Sequence, residues 1–247
     1  MLKTTRILVM AGVMAAVGSE ARAQTQPPPA TLGFLNVTFG TQPASRTVGR
    51  SQSFPVYGET ATVTTTHDVG NGAVFDITGG YRFGPNLFGP NLGVAVGFSN
   101  FSNTSDSGVV ATIPNPLVFD RPQTTTTSVS DLEHSERGIH LQAVWFVPIT
   151  NQIDVALSAG PSFILVSQDI VSTVSIPPGT QNANPVVETE KKTAIGLNVG
   201  VDASYLFTRN VGAGIFLRYA GAEADLPSAP DLRVGGFQFG VGARVRF

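Results

Sequence analysis

The sequence has no cysteine, and only 13% of its 247 residues are charged. The absence of cysteine excludes a disulfide framework, a thiolate zinc site and a cysteine nucleophile. A formal net charge of −2 argues against a basic nucleic-acid-binding protein, and 42% hydrophobic residues argue against a disordered chain. A chain of this length forms one domain or two small ones.

Residues that carry catalytic or metal-binding chemistry are also scarce. The three histidines, His67, His134 and His140, do not have the spacing of metal ligands. The glycine-rich segment 196–200 has the spacing of a strand, and no helix follows it, so it does not read as a phosphate-binding loop. We therefore expect no cofactor, and we expect His140 to join an inward-facing polar network rather than to act as a base.

The N-terminus has the features of a secretory signal peptide. Lys3 and Arg6 precede an apolar run over residues 7–18, which is too short to cross a membrane as a helix. Ala21 and Ala23 occupy the small-residue positions of a cleavage site. We expect export and cleavage after Ala23, which leaves a mildly acidic mature chain.

The domain organisation follows from this N-terminus. Residues 1–23 are predicted to be the signal peptide, residues 24–31 a short linker, and residues 32–247 a single domain. No later stretch reaches the 18 or so uninterrupted apolar residues that a membrane-spanning helix needs. If the mature chain enters a membrane, it does so with strands.

Apolar residues alternate with polar or small ones along most of this domain, which predicts β-structure. From Phe237 to Phe247 every second residue is apolar, and Arg244 and Arg246 lie between them. A break near Pro43 allows a ninth strand, but single-chain bacterial barrels normally have an even number, so residues 42–59 are assigned to the first long connection. The fold is predicted to be all-β, with eight antiparallel strands over 32–52, 60–83, 92–112, 123–147, 153–175, 186–206, 211–225 and 233–247.

Short turns alternate with long connections between these strands. Turns follow Phe83, Val147 and Phe207, and each long connection contains proline near its middle. The segments 60–66 and 123–130 are rich in β-branched residues but polar on both faces, so we expect them to stand in water.

Aromatic residues on the apolar face form two rows, which favours a membrane barrel over a soluble sandwich. The rows are roughly 20–25 Å apart at the usual rise and tilt of strands, close to the height of the apolar band of an outer-membrane barrel. The lower row comprises Tyr81, Phe83, Trp145, Tyr205, Phe207 and Phe247, and the upper row comprises Phe75, Phe98, Phe163, Tyr219 and Phe237.

The opposite face carries ionisable residues, which we expect to point into the lumen of the barrel. An eight-stranded barrel encloses a space that side chains fill. Carboxylates and guanidinium groups on this face are expected to pair in layers. The predicted lumen network consists of Asp76, Arg82, His140, Asp154, Asp202, Arg218, Arg244 and Arg246.

The C-terminal run from Gly240 to Phe247 resembles the closing strand of bacterial outer-membrane β-barrels. In its strand and turn pattern the mature chain is similar to the small OmpA-, OmpX- and OmpW-type barrel domains of the porin family. The resemblance implies an up-and-down barrel in the cell envelope of a Gram-negative bacterium, with short periplasmic turns and long extracellular hairpins. It also implies that the barrel-assembly machinery reads the strand that ends at Phe247. The sequence lacks the peptidoglycan-binding domain of OmpA, so no tether to the wall is expected.

Three functions remain open under this resemblance. The first is a non-enzymatic structural or surface-interaction role, in which the apolar residues at the hairpin tips (54–57 and 117–119) bind a partner or cap one another. The second is transport of small hydrophobic molecules through a lateral opening. The third is lipid A modification by His134 and Ser135, although we expect the segment from Glu133 to Glu136 to be a solvated surface.

Overall fold

The computed structural model describes residues 32–83, 91–229 and 231–247. The predicted signal peptide, the whole predicted linker and most of the first short turn lie outside these ranges. Within them no helix is long and apolar enough to cross a membrane. The strands in this part of the chain are β1 (Gly33–Gln42), β2 (Arg46–Val56), β3 (Glu59–Val69), β4 (Gly72–Arg82), β5 (Leu92–Ile113), β6 (Gln123–Pro148), β7 (Ile153–Ser175), β8 (Asn184–Leu206), β9 (Val211–Ala224) and β10 (Leu232–Arg246).

Eight of these strands close into an antiparallel ring, which confirms the predicted barrel. The ring runs β1, β10, β9, β8, β7, β6, β5, β4 and back to β1. The first and last ring strands meet at a seam, where the backbones of Gly33 and Phe247 exchange hydrogen bonds of 2.7 and 2.9 Å. A closed ring leaves no unpaired strand edge at membrane depth, which is the condition for β-structure to cross a bilayer.

The first two predicted strands are each divided in the structure. Residues 43–45 separate β1 from β2, and residues 70 and 71 separate β3 from β4. β1 pairs with β4 as far as Gln42 and Gly72, whereas β2 and β3 form their own hairpin above the ring. Above the ring, β3 pairs with the extended part of β5.

A two-residue turn ends the β2–β3 hairpin. Tyr57 and Gly58 both have positive φ, at 53° and 82°. This is the backbone that a type I′ turn requires, and glycine adopts it without steric cost. The turn fixes the register of the hairpin, so that Val56 lies opposite Glu59.

The long connections pack into one body above the ring, which we call the head (residues 43–71, 103–133, 169–193, 225–229 and 231). The expectation that segments 60–66 and 123–130 are solvated on both faces is wrong for one face of each. Ala61 and Val63 are completely buried, and Val129 packs on the same cluster. The two sides of the head cover each other because β3 and β5 present Val63, Val109, Ala111 and Ile113 to Val171 and Val174 of β7.

Polar contacts join three of the hairpin tips. The Tyr57 hydroxyl donates to the carbonyls of Pro177 and Thr180, at 3.2 and 2.9 Å. The backbone N–H of Asp120 donates to Glu59 at 3.1 Å. The first tip is therefore tied to both the second and the third, and its apolar residues cap the head.

The second tip is different, because its apolar residues face solvent. Leu117 is 90% exposed and Phe119 is 71% exposed, with Val118 between them. The sequence left open whether the tips bind a partner or cap one another. The apolar residues of the first tip cap the head, whereas those of the second tip are exposed in this chain.

Candidate functional site in the barrel lumen

Three carboxylate–guanidinium pairs lie inside the ring. Asp202 accepts two hydrogen bonds from Arg244, which is 1% exposed. The other two pairs join Asp76 to Arg218 at 2.8 Å and Asp154 to Arg246 at 2.5 Å. Arg218 also donates twice to Gln238. These contacts satisfy charges that would otherwise be costly to hold away from water.

A neutral layer surrounds His140. Its Nδ1 and Nε2 atoms lie 2.7 and 2.8 Å from the hydroxyls of Ser162 and Ser99. Gly138 leaves room for this arrangement, because a Cβ at that position would lie 2.7 Å from both His140 Nε2 and Ser99 Oγ. Because His140 is buried and both of its ring nitrogens lie against hydroxyls, its role is to fill the lumen.

The top of the ring is closed by a buried group that we call the Glu136 cluster (Gln42, Arg46, His134, Glu136 and Gln168). Glu136 accepts hydrogen bonds from Arg46 at 2.8 Å and Gln42 at 3.2 Å, and from the backbone N–H of Gly235 at 2.9 Å. His134 bridges Glu136 and Gln168, with distances of 2.9 and 2.5 Å. The cluster therefore ties β1, β2, β6, β7 and β10 together where the ring meets the head.

Arg82 behaves differently from the other predicted lumen arginines. It is buried, and its guanidinium carbon lies 4.1 Å from the centre of the Phe146 ring. Its Nε and Nη2 atoms have no hydrogen-bond partner among the described residues. Phe34 meets Phe146 edge-on, so the short-turn end of the lumen holds an apolar cluster with Ala95 and Val144, which sequence reasoning did not predict.

Between these layers lies one small cavity of about 70 Å³. Asp76, Asp154 and Asp202 line it together with Arg218 and Arg246. This volume has room for several water molecules, not for a substrate or a prosthetic group. In the described part of the chain, no group of three or more histidine, aspartate or glutamate side chains could hold a metal ion.

The outer surface of the ring is apolar and aromatic. Ile195 and Leu197 are each 71% exposed, on the face opposite to the buried Asn198. Most of the predicted aromatic residues are exposed there, and Phe39, which sequence reasoning did not include, packs on Phe75 with 4.8 Å between ring centres. The exposed aromatic residues of the ring are Tyr81, Trp145, Tyr205, Phe207 and Phe247 at the short-turn end, with Phe39, Phe98, Phe163, Tyr219, Phe237 and Phe239 nearer the head. Phe75 and Phe83 are partly buried.

A polar, paired interior and an apolar exterior invert the arrangement of a water-soluble domain, as expected of a barrel in a bilayer. The model of the family described as "Outer membrane protein beta-barrel domain" matches residues 7–244. The chain belongs to this family. Its place is therefore the bacterial outer membrane, with the short turns in the periplasm and the head outside the cell.

The chain is also similar to several solved structures, at low sequence identity and low TM-score. Neisserial surface protein A is 18% identical, with a TM-score of 0.45, over 87% of this chain and 97% of that one. OprG from Pseudomonas aeruginosa is 11% identical, with a TM-score of 0.49, over 89% and 97%. The attachment invasion locus protein Ail of Yersinia pestis is 13% identical, with a TM-score of 0.39, over 86% and 99%. None of the curated proteins matches the sequence.

The prediction that residues 133–136 form a solvated surface is wrong for two of the four. His134 is fully buried and Glu136 nearly so, while Ser135 lies on the outward face of the same strand. Successive residues of a strand point to opposite faces, so His134 and Ser135 are on opposite sides of the barrel wall. They do not form the nucleophile and base of a lipid A-modifying enzyme.

Sequence reasoning missed the Glu136 cluster, although one signal for it was available. His134, Glu136, His140 and Gln142 all have even numbers, and the alternation of β6 continues without a break from the membrane into the head. Extending the inward face of β6 upward by six residues from His140 would have placed His134 and Glu136 inside. The partners Arg46 and Gln168 come from distant hairpins, and β6 by itself carries no information about them.

His67 is a second buried histidine of the head. Neither ring nitrogen has a hydrogen-bond partner among the described residues, and a cavity of about 10 Å³, enough for one water molecule, lies beside it. Burial lowers the pKa of His67, and His134 lowers it further, whereas Asp68 and Asp169 act in the opposite direction. Arg50 and Asp169 also line the cavity.

We expect acid to destabilise the head through His67. The unfolded chain binds a proton near pH 6.5, and the folded chain does so only at lower pH, so stability falls as pH decreases below about 6.5. The urea midpoint of the detergent-folded protein should drop between pH 7 and pH 5, and by less in His67→Gln. Equal drops in the two proteins would assign the acid sensitivity to other groups.

Proposed function

We propose that this outer-membrane protein has a structural and surface-interaction role and that its lumen does not conduct. The observation that carries the proposal is the Glu136 cluster, which fills the top of the ring directly beneath the packed head. Below it the Asp76–Arg218 pair and the His140 layer occupy the interior. A molecule passing along the axis would have to break all of these buried contacts.

The same side chains argue against enzymatic activity. The buried carboxylates are held by arginines, and the buried His140 is held by two serines. His134 has Gln168 and Glu136 as its two partners and faces away from Ser135. These groups are bonded to one another, and the cavity beside the lumen carboxylates, about 70 Å³ among the described residues, is too small for a substrate.

The sealed lumen predicts an electrically silent protein. Purified protein inserted into planar lipid bilayers should give no steady openings at ±100 mV in molar potassium chloride. Folding is checked on the same sample by the shifted gel migration of a barrel that has not been boiled, and insertion is checked by flotation of the protein with liposomes of the same lipid. Regular conductance steps from correctly folded protein would contradict the proposal and favour transport.

The surface role rests on the exposed second tip. A contiguous apolar group at the far end of an otherwise polar head marks a contact surface. Bacteria that display the protein should adhere more to hexadecane than bacteria without it, and Leu117→Ser with Phe119→Ser should remove most of that difference. Ile149→Ser is the matched control. It also removes an exposed apolar side chain, since Ile149 is 59% exposed, but in a periplasmic turn on the other side of the membrane. Equal adhesion by the tip variant and the wild type would remove the tip from the proposal.

One observation favours the second candidate, lateral transport. The β6–β7 ladder is interrupted between the pairs His140–Ser162 and Ala143–Ala159, where Pro161 has no N–H to donate. Pro161 faces the lipid. Behind the interruption, Gln142 and Asn198 are hydrogen-bonded at 2.8 Å and fill the lumen, which is why closure is preferred.

Recognition of the last strand by the barrel-assembly machinery remains a prediction. It is supported by the position of Phe247, which ends β10 at the seam opposite Gly33 and is 67% exposed.

A further inference from the structure

Two exposed cations lie close together on the outer wall, in a group that we call the Arg137 patch (Ser135, Arg137, Ser167, Lys191 and Thr193). Ser135, Ser167 and Lys191 form one cross-strand row over β6, β7 and β8. Arg137, Leu165 and Thr193 form the next outward-facing row below it. The patch is therefore two rows high and three strands wide, with a cation at each of two opposite corners.

The patch begins where the lipid-facing band ends. Ile139 is the next outward residue below Arg137 and is 50% exposed. It pairs with Phe163 of the upper aromatic row, and Phe163 pairs with Ile195. Arg137 therefore lies immediately above the apolar band, at the depth of the lipid headgroups of the outer leaflet.

The charges of the patch are not neutralised by the protein. Arg137 and Lys191 are exposed, and neither forms an ion pair within the described residues. Their cross-strand neighbours are neutral: Asn100 and Leu165 flank Arg137, and Ser167 flanks Lys191. Arg233, an exposed arginine elsewhere on the wall, differs in that an acidic residue, Glu223, lies directly opposite it on the neighbouring strand.

The carboxylate of Asp169, which is near the patch, is held by other partners. Asp169 accepts hydrogen bonds from the backbone N–H of Glu133 and from the hydroxyl of Thr189. Glu133 lies two residues beyond Ser135 toward the tip, so it borders the patch without separating its cations. The surface between Arg137 and Lys191 contains the hydroxyls of Ser135, Ser167 and Thr193.

We propose that the Arg137 patch binds the phosphorylated sugar headgroup of an outer-leaflet glycolipid of the lipid A class. The Cα atoms of Arg137 and Lys191 are about 12 Å apart from strand spacing and rise, so both side chains reach a group between them. Arginine and lysine are the side chains that bind phosphate, and serine hydroxyls donate to its remaining oxygens. The acyl chains of the same lipid then lie along Ile139, Phe163 and Leu165.

The proposal is tested by titrating the folded protein in zwitterionic detergent micelles with diphosphoryl lipid A. Bound lipid is counted by native mass spectrometry. Arg137→Gln with Lys191→Gln should weaken binding about 30-fold at low salt, because each cation near a charged lipid surface contributes roughly fivefold. The control variant, Arg233→Gln with Lys192→Gln, removes two positive charges that are not in the patch, because Arg233 is on β10 and Lys192 is on the opposite face of β8 from Lys191. It should bind like the wild type.

Three outcomes would overturn the proposal. One is equal weakening in the test and control variants, which indicates general charge attraction. Another is wild-type binding of dephosphorylated lipid A as tight as binding of the diphosphoryl form. The third is competition by inorganic phosphate at the same concentration as the lipid, which indicates a free-anion site. If the double variant does not fold, as judged by gel migration, the two single variants are tested instead, and each should weaken binding about fivefold. An unchanged affinity in both single variants would also overturn the proposal.

Discussion

Glu136→Gln is expected to lower the free energy of unfolding by about 3 kcal/mol, the lower end of the usual cost of breaking a buried charge pair, because the Arg46 side chain is 17% exposed. Glu136 is 4% exposed and accepts from Arg46, Gln42, His134 and the backbone of Gly235. Glutamine keeps one acceptor and removes the charge that Arg46 faces. The measurement is the urea midpoint of the protein folded into lipid vesicles.

The matched control is Glu133→Gln. Glu133 is on the same strand but exposed, so its replacement should change stability by less than about 0.5 kcal/mol. Because the Glu136 cluster joins the ring to the head, we also expect a protease to cut the head of Glu136→Gln faster than that of the control. A Glu136→Gln protein with wild-type midpoint and wild-type proteolysis would show that the cluster does not hold the head.

Asp202→Ala is expected to destabilise the barrel by an amount on the order of 3 kcal/mol. Its partner Arg244 is 1% exposed and would remain charged in the lumen. The side chain of Asp202 is 19% exposed and borders the internal cavity, which favours the lower end of the usual range for a broken buried pair. Equilibrium unfolding in detergent or vesicles measures the effect.

Removing both charges distinguishes the loss of a pair from the loss of a side chain. Asp202→Ala combined with Arg244→Met should recover most of the stability that Asp202→Ala loses, because no unpaired charge remains. An unchanged midpoint in Asp202→Ala would mean that the cavity already hydrates Arg244. A double variant as unstable as the single one would assign the effect to packing.

One group of buried contacts holds the strands of the ring together, and another holds the head on the ring. Asp202 and Arg244 join β8 to β10 within the membrane. Glu136 connects strands of the ring with Arg46 of β2, which is outside it. A membrane-embedded ring with a loosened head is therefore the expected state of the Glu136 variant, whereas the Asp202 variant weakens the ring itself.

Local patterns were sufficient for the membrane-spanning part. Alternation along segments such as 237–247 gives the direction of every side chain on a strand, and this direction holds whichever strands are neighbours. The same alternation predicts that Asp76, Asp154 and Asp202 share the inward face with the arginines. Which aspartate pairs with which arginine depends on the register between neighbouring strands of the ring. The alternation along a single strand does not determine that register.

The head was harder to predict because its strands do not face lipid. The threonine-rich segment 60–66 is polar in composition, but Ala61 and Val63 are enough to form one buried face once β7 covers it. His134 and Glu136 were assigned to water for the same reason, since a protruding strand with charged residues is normally solvated. Both errors come from treating each hairpin as separate, whereas the four hairpins pack together.

The sequence by itself determined the strand class, the outward apolar surface, the inward polar surface and the outer-membrane family, because each depends on the two-residue repeat of a single strand. Only the tertiary structure decided that Glu136 closes the ring, that Arg82 stacks on Phe146, and that Arg137 and Lys191 share a patch of the outer wall. These features join residues up to 99 positions apart, and their contacts depend on strand register, which only the closed barrel fixes.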